Sequence, residues 1–217
     1  MPLSPQEASQ RTRALCALAP IIPVITLEEA RHARPLAEAL VAGGLPVLEV
    51  TLRTEAALEA IAEMAQVDGG HVGAGTLVTP AQVRAAKAAG ATFGVSPGAT
   101  EELLAACEAE ELPLLPGAAT ATEAMRLLER GYDMMKFFPA EAAGGAAALK
   151  AIGAPLPQIG FCPTGGVSPE NAASYLALRN VLCAGGSWVC PKEAIDEGRW
   201  GDIETLAREA SRLMGHA

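Results

Sequence analysis

One lysine lies in the middle of an apolar, strand-length segment, residues 132–139 (YDMMKFFP). Side chains alternate along a strand, so Lys136 and Phe138 are expected on one face. Met135 and Phe137 then face the other way. If both faces are covered, the amine loses its water, which disfavours its charged form, and a neutral amine can attack a carbonyl carbon. That is Schiff-base chemistry. The alternative is a lysine at a strand end whose stem packs while its head reaches water.

A carboxylate interrupts a second apolar segment, residues 47–53 (VLEVTLR). Strand alternation places Val47, Glu49 and Thr51 on one face. Arg53 follows just beyond the strand. A carboxylate inside an apolar strand is costly unless it is paired or takes part in chemistry. Glu49 is therefore either a structural carboxylate satisfied by a neighbouring arginine or backbone donor, or a proton-transfer residue that faces Lys136.

Glycines follow three further predicted strands, within residues 72–76 (VGAGT), 161–168 (FCPTGGVS) and 183–188 (CAGGSW). In the first segment they would let the backbone approach a ligand beside the Thr76 hydroxyl. The other two segments predict a phosphate site made of backbone N–H groups, and a side chain at Gly166 would block a close approach there, as one at Gly186 would. Each glycine pair could equally be an ordinary turn.

The elements that would position these residues recur regularly. Strand candidates begin near residues 20, 46, 70, 92, 112, 134, 159 and 181, about 23 residues apart, which is the length of a βα unit. Capping boxes predict helix starts at Thr26, Thr79 and Thr120. Glycines at positions 43–44, 90 and 131 predict helix ends.

This order predicts an α/β protein, a (β/α)8 TIM barrel with an extra N-terminal helix over residues 5–18. A doubly wound open sheet is the alternative, because the same spacing fits it. No linker or change of composition divides the chain, so residues 1–217 are expected to form a single domain. In a barrel the functional site lies at the C-terminal ends of the strands, where the polar residues above are found.

Composition excludes several classes of function. The net charge of -9 and the lack of a Lys/Arg cluster disfavour nucleic acid as a partner. No apolar run approaches the roughly 20 residues of a membrane span, and the first residues do not resemble a signal peptide, so a cytoplasmic enzyme is expected. Five cysteines without a C-x-x-C pair suggest neither a disulfide framework nor a zinc site. His32, His71 and His216 share no spacing typical of joint metal ligation.

A competing motif, G-x-S-x-G, occurs at residues 94–98 between a predicted strand and helix. It is typical of a hydrolase nucleophile elbow, with Ser96 as nucleophile. That mechanism needs the backbone N–H of the next residue as an oxyanion donor, and Pro97 has none. His216 is the only histidine after Ser96, and a position beside the C-terminus is a poor place for a rigid base. The motif therefore does not predict a hydrolase.

With these residues in place, the chain resembles the 2-keto-3-deoxy-6-phosphogluconate (KDPG) aldolase family, whose members are also called 4-hydroxy-2-oxoglutarate (KHG) aldolases. The resemblance extends over nearly the whole chain. It rests on residues 48–54 (LEVTLRT), 72–76 (VGAGT), 96–98 (SPG), 136–141 (KFFPAE), 161–166 (FCPTGG) and 185–188 (GGSW).

The resemblance implies a role for each of these residues. Lys136 would be the Schiff-base lysine and Glu49 the general acid/base. The other implied contacts are a pyruvate-carboxylate site (Arg53, Thr76), further substrate-binding residues (Pro97, Phe138, Thr164) and a phosphate site (Gly165, Gly166, Gly186, Ser187). It implies no cofactor and no metal.

The resemblance also implies an activity and an assembly. A class I aldolase of this family cleaves the phosphorylated 2-keto acid to pyruvate and glyceraldehyde 3-phosphate, and 4-hydroxy-2-oxoglutarate to pyruvate and glyoxylate. The family's barrel is usually a homotrimer. Two alternatives stay open: an aldolase for an epimeric or unphosphorylated 2-keto acid, and a non-catalytic barrel that binds a phosphorylated keto acid, with Lys136 and Glu49 as a buried ion pair only.

Overall fold

The computed structural model of the protein describes residues 2–213, in which short parallel strands alternate with helices. The strands are β1 (Ile21–Ile25), β2 (Val47–Thr51), β3 (His71–Gly75), β4 (Phe93–Val95), β5 (Leu114–Leu115), β6 (Gly117–Ala118), β7 (Met134–Phe137), β8 (Gly160–Pro163) and β9 (Ala184–Gly186). The helices are α1 (Pro5–Cys16), α2 (Ala33–Ala42), α3 (Ala57–Met64), α4 (Pro80–Ala88), α5 (Glu101–Ala109), α6 (Ala121–Arg130), α7 (Gly145–Gly153), α8 (Ala172–Leu176), α9 (Lys192–Asp196) and α10 (Trp200–Ala210), with a 3-10 turn at Ala30–His32.

The strands form a curled parallel sheet in two parts. Six strands pair in the order β5-β4-β3-β2-β1-β9, and three pair in the order β6-β7-β8. Neighbours in space are mostly neighbours in sequence, and the last strand pairs with the first through Ile22 and Gly185. A doubly wound sheet instead reverses its strand order at a switch point. The doubly wound alternative is therefore wrong for this chain.

Seven of the predicted strands lie where the spacing placed them, and the strand predicted near residue 112 is divided into β5 and β6. Pro116 separates the two pieces. Proline has no N–H to donate to a ladder, but its carbonyl still accepts the Lys136 N–H at 2.8 Å. Residues 114–118 therefore run as one extended segment that Pro116 interrupts, and β7 pairs with this segment at Pro116 and at β6.

Alternation along the strands produces two apolar layers. The cluster inside the curl contains residues from both parts of the sheet, among them Val47, Phe93, Met134 and Cys162. The larger cluster fills the space between sheet and helices and takes the opposite face of the same strands, including Leu48 and Phe137. Burial on both faces explains why the strands are nearly continuous apolar runs.

Two of the three predicted capping boxes are confirmed, at Thr79 and Thr120. The third is wrong. Helix α2 begins only at Ala33, without a side-chain cap, and the Thr26 hydroxyl instead lies 2.8 Å from the Thr51 hydroxyl. The pairing of β1 with β2 brings these two hydroxyls together, and a contact between strands so distant in sequence is invisible to a local capping pattern.

Glycine ends helices where the sequence predicted. Gly131 is the C-cap of α6 with φ of 115°, and Gly90 follows α4 with φ of 100°. Both angles lie in the left-handed region that a side chain disfavours. Within residues 2–213, no helix is long and apolar enough to cross a bilayer. His216 lies outside the described residues.

The capping box of α6 should contribute measurably to the free energy of unfolding. The Thr120 hydroxyl accepts the Glu123 N–H, and the Glu123 carboxylate accepts the Ala119 and Thr120 N–H groups at 2.9 Å each. We expect Thr120→Ala to lower the free energy of unfolding by about 1 kcal/mol in urea denaturation. Thr122→Ala, an exposed change in the same helical turn, should alter it by less than about 0.5 kcal/mol.

The same box predicts a pH dependence. Hydrogen bonds, chiefly from the Ala119 N–H, lower the pKa of Glu123. A carboxyl whose pKa is lowered by folding stabilises the fold above its unfolded pKa, and that contribution is lost as the pH falls through the folded pKa. The stability difference between the native protein and Glu123→Gln should therefore shrink in acid. A difference that stays constant down to acidic pH would contradict this.

Candidate active site

Lys136 and Glu49 meet inside the curl of the sheet. Lys136 is on β7 beside Gly117 of β6 and Cys162 of β8, and it points inward, as alternation with Met135 and Phe137 predicted. Glu49 points inward from β2, in the other part of the sheet. The Lys136 Nζ lies 3.2 Å from the Glu49 Oε1, and the two side chains are 5 % and 4 % exposed. The interior thus holds a desolvated amine in contact with a carboxylate.

Glycines on β3 make room for large inward side chains. A Cβ at Gly75 would lie 2.4 Å from the Glu49 Oε1, and one at Gly73 would lie 2.4 Å from the Phe93 ring. Both contacts are too short for any side chain. The groups that approach the β3 backbone here are the protein's own Glu49 and Phe93, and the approach of a ligand beside Thr76 stays a prediction.

Arg53 and Thr76 form a second polar pair at the C-terminal ends of β2 and β3. The Arg53 Nε donates to the Thr76 Oγ1 at 3.2 Å. Thr76 has a φ of 61°, an unusual conformation for a β-branched residue. Such backbone strain is typical of residues held in place for function. The pair therefore presents a cation and a hydroxyl in a fixed arrangement beside the sheet end.

A cavity of ≈ 320 Å³ opens at this end of the sheet. The Lys136 Nζ reaches it and lies 5.2 Å from the centre of the Phe138 ring. Its lining residues are Val24, Thr26, Arg53, Lys136, Phe138, Thr164, Gly165, Gly166, Val167, Gly185, Gly186 and Ser187. Most residues selected from the sequence are therefore brought together in one cavity.

Three of the selected residues do not line the cavity. Glu49 is hydrogen-bonded to the lining residue Lys136, and Thr76 to the lining residue Arg53. Pro97 contacts the neighbouring strand instead: its carbonyl oxygen would be 2.3 Å from a Cβ at Gly117, the residue that pairs with Lys136. Four other lining residues were not selected. Thr26 could have been recognised as a polar residue at a strand end, but it was assigned to a helix cap. Gly185 belongs to a glycine pair noted in the sequence, although only Gly186 of that pair was selected, and Val24 and Val167 carry no signal.

The two glycine loops are shaped by neighbouring side chains. Gly165 and Gly166 have φ of 100° and 78°, which only glycine adopts readily. A Cβ at Gly166 would lie 2.7 Å from the Glu141 Cγ, and one at Gly186 would lie 1.8 Å from the Trp188 Cζ3. Substituting either glycine would therefore displace a side chain of the protein itself, a cost that comes in addition to the predicted loss of a close approach to a ligand.

Glu141 is held beside the first loop. The Tyr175 hydroxyl donates to the Glu141 carboxylate, and the Glu141 N–H donates to the Gly165 carbonyl at 3.0 Å. Burial, and then the contact with this carboxylate, raise the pKa of Tyr175. Tyr175 therefore remains protonated and is a permanent donor.

Ser96 is placed unlike a nucleophile. It is completely buried, and among the described residues its Oγ has no hydrogen-bond partner. A nucleophile elbow instead exposes its serine at the top of the sheet beside a base. The burial of Ser96 is a second reason, besides the missing N–H of Pro97, not to interpret this motif as a hydrolase site. Within residues 2–213, no group of three His, Cys, Asp or Glu side chains is arranged to hold a metal ion.

Comparison with known proteins relates this geometry to a family. The sequence profile of a family described as "Aldolase: KDPG and KHG aldolase" matches residues 12–206. The chain belongs to the KDPG and KHG aldolase family. The KHG/KDPG aldolase of Escherichia coli K12 is 52% identical to this family member over 192 residues, which cover 88% of this chain and 90% of that relative.

Solved structures of KDPG aldolases share the fold of this family member. The Zymomonas mobilis ZM4 enzyme with 3-phosphoglycerate has a TM-score of 0.92 and 46% identity, covering 96% of this chain and 99% of that chain. The Legionella pneumophila enzyme, with pyruvate captured as a covalent carbinolamine intermediate, has a TM-score of 0.88 and 50% identity, covering 92% and 97%. The curled parallel α/β sheet described above is therefore the fold of this family.

Thr76 provides a test of strain at the site. Glycine adopts a φ of 61° without a Cβ penalty, whereas alanine does not. Both substitutions remove the hydroxyl that accepts from Arg53. We expect Thr76→Gly to be more stable than Thr76→Ala by about 1 kcal/mol in urea denaturation. If Thr76→Ala were the more stable of the two, the positive φ at this position would not cost free energy for a residue with a Cβ, and the claim of strain would be wrong.

Proposed function

We propose that this chain is a class I aldolase that cleaves 2-keto-3-deoxy-6-phosphogluconate to pyruvate and glyceraldehyde 3-phosphate through a Schiff base on Lys136. The single observation that carries the proposal is the buried Lys136 Nζ, which faces the cavity 3.2 Å from the Glu49 carboxylate. Aldolases of the family act on such keto acids, and the Legionella relative holds pyruvate as a carbinolamine, the adduct of an amine with a carbonyl.

The reaction begins at the substrate's C2 carbonyl. The Lys136 ammonium first gives up a proton, for which Glu49 is the neighbouring acceptor. The neutral amine adds to C2 to form a carbinolamine. Glu49 then returns the proton to the carbinolamine hydroxyl, which leaves as water and gives an iminium ion, so that Glu49 is a carboxylate again. Only the amine and the carboxylate are needed for these steps: Lys136 lines the cavity, and Glu49 lies behind it in direct contact.

The iminium then accepts the electrons of the C3–C4 bond. Glu49, directly or through water, takes the proton of the C4 hydroxyl, so that C4 leaves as the aldehyde carbon of glyceraldehyde 3-phosphate. The enamine that remains is protonated at C3 by the same group. Hydrolysis of the resulting iminium releases pyruvate and restores the Lys136 amine. One carboxylate that alternates between base and acid is therefore sufficient.

The remaining residues would hold the two ends of the substrate. Arg53 with Thr76 would bind the carboxylate, since a guanidinium is suited to a carboxylate and Thr76 adds a hydroxyl. Pro97, Phe138 and Thr164 would complete the substrate pocket. Gly165, Gly166, Gly186 and Ser187 would bind the phosphate, which a chain of net charge -9 would otherwise repel.

The cavity is also compatible with 4-hydroxy-2-oxoglutarate, which the family's description includes. This substrate has the same C1–C4 arrangement without a phosphate, so it would use Lys136, Glu49 and Arg53 and leave the glycine loops empty. Its cleavage would release pyruvate and glyoxylate. No cofactor takes part in either reaction as proposed.

We also propose that the strands close into one (β/α)8 barrel and that residues 1–217 form one domain. Bridges between Phe161 and Val181 and between Thr164 and Gly185 connect β8 to β9. Strands β5 and β6 follow each other across Pro116 and count as one. Both parts of the sheet contribute to one interior cluster, which supports a single domain. The homotrimer and the cytoplasmic location stay predictions.

A covalent experiment tests the Schiff base. Incubation with pyruvate and borohydride should add one reduced pyruvyl group at Lys136, because the other lysines (Lys87, Lys150, Lys192) are exposed to water, whereas Lys136 is buried. Intact-protein and peptide mass spectrometry measure the site. Lys136→Met, which keeps the side-chain length, should abolish labelling, whereas the exposed control Lys150→Met should leave it unchanged.

The same experiment separates an enzyme from a binding protein. A non-catalytic barrel would contain the same ion pair but would not be labelled. An unlabelled native protein, or Lys136→Met labelled as strongly as the native protein, would refute the Schiff base. Cleavage of the phosphorylated keto acid should also persist in EDTA, since the mechanism uses no metal.

Glu49 is tested by Glu49→Gln, which keeps its volume and hydrogen-bonding reach. Loss of a positioned acid/base typically lowers turnover by about 10²- to 10⁴-fold. We expect kcat to fall within that range while borohydride trapping of pyruvate falls less. Urea denaturation should show a folded protein. Normal turnover, or loss of structure together with activity, would mean that Glu49 serves only as a structural ion-pair partner.

A further inference from the structure

The side chain of Asn171 holds the loop at residues 165–168 from outside the cavity by two hydrogen bonds. The Asn171 Nδ2 donates to the Gly166 carbonyl at 2.9 Å. The Asn171 Oδ1 accepts the Ser168 N–H at 2.8 Å. The Asn171 side-chain amide makes both bonds in one orientation only, with its nitrogen toward Gly166 and its oxygen toward Ser168. Asn171 itself does not line the cavity.

The backbone of this loop is asymmetric in its hydrogen bonds. The Gly165 carbonyl accepts the Glu141 N–H at 3.0 Å, and the Gly166 carbonyl accepts from Asn171. The Gly165 N–H lies on the side of the chain that bridges to Gly185. In the part of the chain that the structure describes, the N–H groups of Gly166 and Val167 donate to no protein acceptor, and both residues line the cavity. The carbonyls are therefore satisfied by the protein, and two consecutive donors are left for a ligand.

A glycine pair cannot maintain this arrangement alone. Glycine adopts positive and negative φ almost equally, so the peptide groups of an isolated Gly-Gly segment can rotate and turn a carbonyl toward the cavity. A carbonyl oxygen there would repel a phosphate, whereas an N–H binds it. One bond of Asn171 is made to the peptide group that joins Gly166 to Val167, and the other to the peptide group that joins Val167 to Ser168, so together they restrain the rotation of both.

Helix α8 adds a second contact from the same side. Tyr175, four residues after Asn171, donates to Glu141, whose side chain packs against Gly166. Asn171 is the only one of these residues that bonds the carbonyl of Gly166. The helix therefore contacts the loop at two points. Asn171 sets the direction of the peptide that carries the Val167 N–H, whereas the Glu141 N–H holds the peptide that carries the Gly166 N–H.

We infer that Asn171 is a positioning residue that orients the Val167 N–H, beside that of Gly166, toward the phosphate of the substrate. The inference rests on the proposed function and deepens it, since it assigns phosphate affinity to a residue outside the cavity. Preorganised donors bind more tightly because the ligand does not have to order them. Loss of Asn171 should therefore weaken the binding of phosphate and leave the chemistry at Lys136 intact.

The experiment compares Asn171→Ala and Asn171→Asp with the native protein. Asn171→Asp keeps an acceptor for the Ser168 N–H but has no donor for the Gly166 carbonyl and adds a negative charge. Both variants should raise KM for the phosphorylated keto acid and the inhibition constant of inorganic phosphate by about tenfold or more, the equivalent of a lost hydrogen bond to a charged ligand. KM for 4-hydroxy-2-oxoglutarate should change less than about twofold, with kcat nearly constant for both substrates.

Ser174→Ala is the matched control. Ser174 is exposed on the same helix and donates to the Asn171 carbonyl at 2.7 Å without contacting the loop. It should behave as the native protein. Because Asn171→Asp keeps the bond to Ser168, it tests the inference even if Asn171→Ala does not fold.

The possible results separate the inference from the proposed function. Equal KM losses for the phosphorylated and unphosphorylated substrates, or an unchanged inhibition constant for phosphate, would overturn the role of Asn171 while pyruvate trapping at Lys136 stays intact. A native protein that pyruvate and borohydride do not label would overturn the proposed function instead. A selective loss of phosphate affinity with normal trapping would support both.

Discussion

The structure depends on the burial of an ammonium next to a carboxylate. Removing two such groups from water costs several kcal/mol for each ion, and the Lys136–Glu49 contact at 3.2 Å offsets this only if its surroundings are well arranged. Several features of the chain follow from that requirement. Gly75 makes room for the Glu49 carboxylate, and the Phe138 ring lies 5.2 Å from the Lys136 Nζ. A buried pair that opens onto a cavity is better explained by chemistry than by stability, since apolar residues would fill the same space at lower cost.

The glycines of the site illustrate how packing and function share the same positions. Those on β3 admit Glu49 and Phe93, and those in the two loops lie against Glu141 and Trp188. None of them faces only a ligand. Their conformations are fixed by contacts from behind, and for the first loop these contacts come from α8. The donors that a phosphate would use are therefore arranged before any ligand arrives.

Much of the site could be predicted from the sequence because polar residues in apolar strands are rare and have few explanations. Lys136 and Glu49 stood out for this reason, and alternation gave their direction. The misses have physical causes. Thr26 was assigned to a helix cap because its capping pattern is local, whereas its partner Thr51 belongs to the neighbouring strand. Asn171 gave no signal, because asparagines are common in loops. Its importance depends on the hydrogen bond to the Gly166 carbonyl, which only the structure shows.

What the sequence by itself determined was local: the positions of strands and helices, the faces of β2 and β7, and the glycine ends of α4 and α6. These depend on periodicity and backbone freedom within a few residues. Only the tertiary structure decided which residues meet. Lys136 and Glu49 are 87 positions apart, and the curl of the sheet brings them within hydrogen-bonding distance. It also decided that the glycines of β3 receive side chains and that Asn171 holds the loop at Gly166. Contacts of this kind follow from strand order and packing, which no local pattern encodes.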